Sequence, residues 1–167
     1  NNAGLAAGRG PIQEGVYEDW EQMIDTNVKG LLYMTREVSP LMIARKKGHI
    51  INVASLAGWE AYGGGNVYCG TKFAVDAISK SMRIDLLRHL IKVTAIHPGA
   101  VETEFSLVRF KGDAATAQSV YTGLNPLTPE DIADTIFYCA SLPGNTCIND
   151  LTISCLRQAN GIYINKA

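Results

Sequence analysis

The sequence predicts an α/β fold of the doubly wound class, in which helices cover a parallel sheet. Short apolar runs rich in β-branched residues alternate with longer segments whose apolar residues recur every three or four positions. Such alternation of strands and helices implies right-handed crossovers between parallel strands. With 167 residues, 47% of them hydrophobic and 19% charged, the chain is expected to form a single globular domain over residues 1–167.

The N-terminal elements follow from their local patterns. Asn1 to Gly4 are interpreted as the end of a strand that enters a glycine-rich loop. A long helical pattern then covers residues 16–45, where Pro40 is expected to introduce a kink. Residues 49–55 form a short apolar run, which favours a buried parallel strand. A loop is predicted for residues 56–65.

The remaining elements repeat this order. A second helix is predicted to begin at Asn66, interpreted as its N-cap, and to reach residue 89. Residues 91–97 predict another buried strand, and residues 102–125 are polar and are expected to be irregular. Pro129 opens a third helix, because proline fits the first helical turn. Residues 148–154 predict a last short strand.

The charge and cysteine patterns limit the classes of partner. A net charge of −1 without a large basic cluster disfavours nucleic acid and anionic membrane surfaces. No apolar run approaches the ~18 residues of a membrane span. The four cysteines form no CxxC pair and have no histidine at metal-ligand spacing, so we expect reduced thiols, a cytoplasmic location and no metal.

Tyr68 and Lys72 are the first candidates for chemistry. Four residues apart on a helix, they share one face, and an ammonium beside a phenol lowers the pKa of the phenol. Ser55 ends a predicted strand thirteen residues earlier. Asn2, Ser55 and the pair Pro98-Gly99 all follow strands, where ligands of this fold class bind. A hydroxyl and an acidic phenol together suit proton transfer to a carbonyl or alcohol oxygen during hydride transfer.

Five motifs in order resemble the short-chain dehydrogenase/reductase family over the whole chain. They are NNAG at the start, Asn27 within NVKG, Ser55, Tyr68-x-x-x-Lys72 and PGAVET at residues 98–103. Three stretches, GGGNVYCGTK, VRFKGD and LTPEDIAD, are similar to the NADP-dependent 3-hydroxy acid dehydrogenases, also called serine or allo-threonine dehydrogenases. The resemblance implies a Rossmann-type fold and an oxidoreductase that transfers a hydride between NADP and a small 3-hydroxy acid.

The resemblance also implies a role for each catalytic residue. Tyr68 would be the acid/base, and Lys72 would lower its pKa and bind the nicotinamide ribose. Ser55 would orient the substrate oxygen. Asn27 would hold a water that links Lys72 to solvent, at a local distortion of its helix. The implied catalytic set is therefore Asn27, Ser55, Tyr68 and Lys72.

The implied cofactor is NADP, with NAD as the alternative. Its contacts would come from residues beside three strand ends: Asn2, Ala3, Gly4, Tyr68, Lys72, Pro98, Gly99, Ala100, Val101 and Thr103. The family's glycine-rich turn and its cofactor-selecting residue have no counterpart in this sequence, which begins without methionine. We therefore expect the C-terminal portion of the fold, and the choice of NADP rests on the likeness to the hydroxy acid dehydrogenases.

The substrate and the assembly remain hypotheses at this level. A hydroxy acid needs a cation for its carboxylate, and Arg109 is favoured over Lys111 because a guanidinium can pair both oxygens. Substrate contacts are therefore expected from Ser55, Tyr68 and Arg109. The resemblance implies a homotetramer that pairs through the helices of residues 16–45 and 66–89. The alternatives are a reductase for other carbonyl compounds and a catalytically inactive, oligomerising fragment.

Overall fold

Three parallel strands form the sheet in the computed structural model, which describes residues 1–167. They are β1 (His49–Val53), β2 (Lys92–Pro98) and β3 (Asp150–Ile153), in the order β1-β2-β3. His49 pairs with Lys92, and Ala95 pairs with Asp150. Six α-helices surround the sheet: α1 (Tyr17–Ile24), α2 (Leu31–Ala44), α3 (Asn66–Asp85), α4 (Phe105–Arg109), α5 (Ala114–Tyr121) and α6 (Pro129–Ser141). The predicted α/β fold class is confirmed.

The N-terminal residues extend the sheet beyond β1. The backbone N–H of Val53 donates to the carbonyl of Asn1 at 3.0 Å. The Asn1 amino group donates to the carbonyl of Ile51 at 2.8 Å. Neighbouring N–H groups of an extended chain point to opposite sides, and the N–H of Ala54 donates to the Ile96 carbonyl of β2. The bond from Val53 therefore lies on the other edge of β1, away from β2. The first residues therefore run along the sheet, as expected of a strand end.

The core lies between the sheet and α3. β2 is the central strand, and its residues from Val93 to Pro98 are all buried. The largest cluster of buried apolar side chains joins the strands to α2 and α3: Leu31, Ile50, Ala54, Val75, Met82, Leu86, Ile91 and Val93. Burial on both faces explains why these strands are continuous apolar runs in the sequence.

The long predicted helix is interrupted by a π-helical segment. Residues Asp25–Gly30 form this segment between α1 and α2, and Asn27 is the buried residue within it. Short π-helical insertions are frequent at functional sites. Pro40 lies inside α2, and none of the helices has both the length and the apolar content to cross a bilayer.

Two local predictions need correction. Asn66 is the first residue of α3 and not its cap, which is Gly65, and the Asn66 amide donates to the Gly10 carbonyl at 2.9 Å. Residues 102–125 are not irregular, since they include α4 and α5. The start of α5 had a signal in the sequence, because the Asp113 carboxylate caps it by accepting from the N–H of Thr116 at 3.1 Å.

The start of α6 agrees with the prediction. Thr128 and Asp131 form a reciprocal capping box, and Pro129 occupies the first turn. Leu127, just before this helix, donates its N–H to the carbonyl of Ala100 at 3.0 Å. Leu127, the residue before the cap of α6, thus holds the chain that follows β2, which is one of the predicted cofactor-binding segments.

Candidate active site

Ser55 follows β1 and begins a short 3-10 turn, Leu56–Gly58. Its hydroxyl oxygen accepts from the N–H of Ala57 at 3.1 Å. The turn packs directly on α3, because a Cβ at Gly58 would lie 2.7 Å from the carbonyl oxygen of Lys72. Only glycine permits this approach, which brings Ser55 beside the first turns of α3, where Tyr68 lies.

Tyr68 is buried in the first turn of α3, with 8% of its surface exposed. Its ring packs against Phe105 at a centroid distance of 5.5 Å. Burial raises the pKa of the Tyr68 phenol well above its ordinary value. A polar interaction with the Ser55 side chain and the positive charge of Arg109 oppose that increase. The phenol is therefore protonated at neutral pH in this geometry.

Lys72 lies one turn after Tyr68, and its ammonium reaches the end of β1. Its ammonium donates to the carbonyl of Val53 at 3.0 Å and lies 5.9 Å from the Tyr68 ring centroid. Burial lowers the pKa of Lys72 to about 8. The cation that lowers the pKa of Tyr68 in this structure is Arg109, whose Cζ atom is 5.4 Å from the ring centroid. The same role for Lys72 stays a prediction.

Asn27 connects the N-terminal segment with α3. Its side-chain oxygen accepts from the N–H of Leu5 at 2.8 Å, and its amide donates to the Leu5 carbonyl at 2.8 Å and to the Thr71 hydroxyl at 3.0 Å. A Cβ at Gly4 would lie 3.3 Å from the Asn27 oxygen and 3.4 Å from the Lys72 ammonium. The structure thus brings Gly4, Asn27 and Lys72 together. The water-holding role of Asn27 stays a prediction.

The segment after β2 offers unpaired backbone groups. The N–H of Glu102 and the carbonyl of Ala100 both bond to Leu127, at 2.8 and 3.0 Å. Val101, between them, makes no hydrogen bond within the chain through its own N–H or carbonyl. Thr103 uses its hydroxyl oxygen to accept from the N–H of Phe105 at 3.2 Å. A donor and an acceptor at Val101 are therefore free for a ligand.

A cavity of about 220 Å³ opens beside Tyr68 and is lined in part by Arg109 and Lys111. One nitrogen of Arg109, Nη1, donates to the Tyr62 hydroxyl at 2.7 Å. Its other nitrogens, Nε and Nη2, are buried and have no hydrogen-bond partner. Lys111, in contrast, pairs with Asp19 at 2.8 Å. Of the two proposed cations, only Arg109 holds buried, unsatisfied donors.

Several supporting residues were missed from the sequence. Tyr62 holds Arg109, Thr71 holds Asn27, and the Gln158 side chain accepts from the N–H of Ala100 at 2.8 Å. Gln158 lies 58 residues from Ala100 along the chain. No local pattern marks such partners, because each contact forms only when distant segments meet.

Known proteins of one family are similar to this chain. The pattern of the short chain dehydrogenase family matches residues 1–113. The NADP-dependent 3-hydroxy acid dehydrogenase of Salmonella typhi is 49% identical over 169 residues, which cover 100% of this chain and 68% of the relative. The serine 3-dehydrogenase of Agrobacterium fabrum is 43% identical over 159 residues, or 95% of this chain and 64% of the relative.

Solved structures give the same result. The closed form of a serine dehydrogenase complexed with NADP+ matches with a TM-score of 0.93 and 46% identity, over 99% of this chain and 67% of the other. The serine dehydrogenase from Escherichia coli matches with a TM-score of 0.79 and 41% identity, over 94% and 62%. The chain therefore belongs to the short-chain dehydrogenase family of oxidoreductases.

Proposed function

We propose that this chain carries the catalytic part of an NADP-dependent dehydrogenase for small 3-hydroxy acids, with Tyr68 as the acid/base. The relatives that are 49% and 43% identical bear the names of such enzymes, which supports this class of reaction. The observation that carries the proposal is the pairing of two kinds of polar group at one cavity. Tyr68 and Arg109 both line the cavity. Tyr68, with the neighbouring Ser55, suits an alcohol or carbonyl oxygen, and Arg109 suits a carboxylate.

The residues around the strand ends fit a nicotinamide cofactor. The free N–H and carbonyl of Val101 match a carboxamide, which has one acceptor and two donor hydrogens. Lys72 has a buried ammonium whose only protein partner is the Val53 carbonyl, so hydrogens remain for ribose hydroxyls. Because Gly4 has no side chain, space remains beside that ammonium, and a Cβ would fill it. NADP, when bound, supplies the hydride acceptor or donor.

The chain's own groups would handle the proton. The Ser55 oxygen already accepts from Ala57, so its hydrogen is available to donate to the substrate oxygen. The raised pKa of Tyr68 keeps its phenol protonated at neutral pH, which suits proton donation to a carbonyl oxygen during reduction. In the direction of alcohol oxidation, Tyr68 must lose its proton, so turnover in that direction should increase with pH.

Replacement of Tyr68 by phenylalanine tests this role. Tyr68→Phe should lower kcat by about a hundredfold or more, because only the titrating hydroxyl is removed. The matched control is Tyr121→Phe, which removes another buried hydroxyl, one that bonds to Ser106 at 2.7 Å. Control turnover should change only slightly. If Tyr68→Phe keeps more than a few per cent of the activity, the acid/base is another group.

The substrate class rests on Arg109. Its unpaired Nε and Nη2 are buried charged donors, which are costly to leave unsatisfied and would pair with a substrate carboxylate. Arg109→Gln should raise the KM for a 3-hydroxy acid by roughly tenfold to a hundredfold, and should leave the KM for its uncharged ester unchanged. Lys111→Gln, which removes a cation paired with Asp19, is the control. An equal effect on acid and ester would favour the alternative, a reductase of uncharged carbonyl compounds.

We also infer a homotetramer, from the exposed apolar residues along the two long helical segments. The exposed apolar residues of α2 are Leu32, Tyr33, Met34 and Leu41. Those at the end of α3 and in the turn that follows it are Ile84, Leu87 and Leu90. Apolar surface on such faces supports subunit contacts. Light scattering of the purified protein measures the mass of the assembly directly. A monomeric mass would contradict the homotetramer and would favour an inactive or differently assembled fragment.

A further inference from the structure

A second polar cluster lies between α3 and the C-terminal side of the sheet. His97, at the end of β2, is completely buried. Its Nε2 atom lies 3.8 Å from an oxygen of Asp76 on α3 and 3.7 Å from an oxygen of Asp150 at the start of β3. These three atoms all lie within 4.8 Å of one another. None of the groups belongs to the site around Tyr68.

The surroundings of His97 define where its proton lies. Its Nδ1 is 3.3 Å from the carbonyl oxygen of Ser55, which can only accept a hydrogen bond. A neutral ring with its hydrogen on Nδ1 directs the Nε2 lone pair toward two carboxylates, which are acceptors as well. Nε2 has no hydrogen-bond partner. A cation placed between this lone pair and the two anionic oxygens would satisfy all three groups.

The cations already present do not satisfy all three groups. Lys80 pairs with the other oxygen of Asp76 at 2.7 Å, and Arg83 contacts both oxygens of Asp150 only at 3.5 Å. The Trp59 indole N–H donates to the inner oxygen of Asp76 at 3.3 Å. These donors bond to the carboxylates, as outer partners of metal ligands do, and none of them is hydrogen-bonded to Nε2.

We propose that Asp76, His97 and Asp150 bind one divalent transition-metal ion of the Zn²⁺ class. Imidazole with carboxylates is a donor set for such ions, and a tetrahedral site with bonds near ~2.1 Å places its ligand atoms about 3.4 Å apart. The 3.7 and 3.8 Å separations from Nε2 are close to this value, and the two carboxylate oxygens, within 4.8 Å of one another, would move together on binding. Asp150, whose side chain is 28% exposed, provides access and room for a water ligand.

The metal would link this cluster to the candidate active site. It would join α3, β2 and β3, and through Nδ1 of His97 it would fix the carbonyl of Ser55. The site is structural in this view, since neither Tyr68 nor the cavity beside it belongs to it. The sequence predicted no metal because its three ligands come from three separate elements, without any short spacing.

Metal titration of the chelator-treated protein tests the proposal. Calorimetry with Zn²⁺ should show one ion per chain at micromolar affinity or better, and Co²⁺ should give the visible absorption of a tetrahedral site. Trp59, whose ring centroid is 4.1 Å from that of His97, should change its fluorescence on binding. Both His97→Gln and Asp150→Asn should weaken binding by at least about tenfold. The control, His89→Gln, removes a histidine outside the cluster and should bind as the parent does.

The Asp150 variant protects the test against a folding defect, since this residue is partly exposed and His97 is not. Two results would overturn the proposal. The first is the absence of stoichiometric Zn²⁺ binding. In that case, ¹⁵N NMR that shows His97 as an imidazolium at pH 7 would identify its own proton as the cation between the carboxylates. The second is binding that both cluster variants leave unchanged, which would place the ion at other groups.

Discussion

Replacement of Lys72 by methionine should stabilise the fold near neutral pH. Lys72 is only 6% exposed, and burial lowers its pKa from 10.5 to about 8. At 1.36 kcal/mol per pKa unit, keeping this ammonium charged in the folded state costs about 3 kcal/mol. Methionine removes that cost but leaves the Val53 carbonyl without its donor, a loss of about 1 kcal/mol. The expected net gain in the free energy of unfolding is therefore about 2 kcal/mol at pH 7.

The pH dependence gives the sharper result. Between pH 8 and 10.5 the unfolded chain binds more protons at Lys72 than the folded chain does, so stability of the parent increases with pH in this window. The full cost of the charge is present below pH 8 and disappears above 10.5. Urea denaturation of the parent and of Lys72→Met should therefore show curves that approach one another by about 2 kcal/mol from pH 7 to 9.5.

A second lysine of the same helix provides the control. Lys80 lies two turns further along α3 with 54% of its side chain exposed, and its pKa is raised by the hydrogen bond to Asp76. The difference between the parent and Lys80→Met should therefore stay constant over this pH range. Parallel curves for the parent and Lys72→Met would show that the ammonium is not buried in solution, and would refute the reasoning.

Two further substitutions test the supports of the site. Gly99→Ala would place a Cβ 2.2 Å from the Gln158 side-chain oxygen, so the bond from Ala100 should break and thermal denaturation should show a loss of about 1–3 kcal/mol. Gly144→Ala, where a Cβ meets nothing within 4 Å, is the control, and an equal stability of both would contradict the prediction. Asn27→Ala removes the bonds to Leu5 and Thr71 and should cost about 2–4 kcal/mol in urea denaturation. Asn27→Asp should recover part of this loss, because it still accepts from Leu5, and an equal loss would mean that this acceptor is unimportant.

The sequence by itself determined the order of elements and indicated the candidate reacting groups. Buried parallel strands require continuous apolar runs, so the strands at His49–Val53 and Lys92–Pro98 could be recognised from the sequence. The helical repeat places Tyr68 and Lys72 on one side of α3, where both are buried. These features depend on neighbours within a few residues, so a local pattern is sufficient to predict them.

The tertiary structure decided which charges act on those groups. It placed Arg109 over the Tyr68 ring, where it lowers the pKa of the phenol, and turned Lys72 to the Val53 carbonyl. It also joined His97 to two carboxylates, one of which lies 53 residues further along the chain. Electrostatic interactions depend on distance and burial in space. Both the distances between charges and their burial are set only when segments far apart in the sequence have packed together.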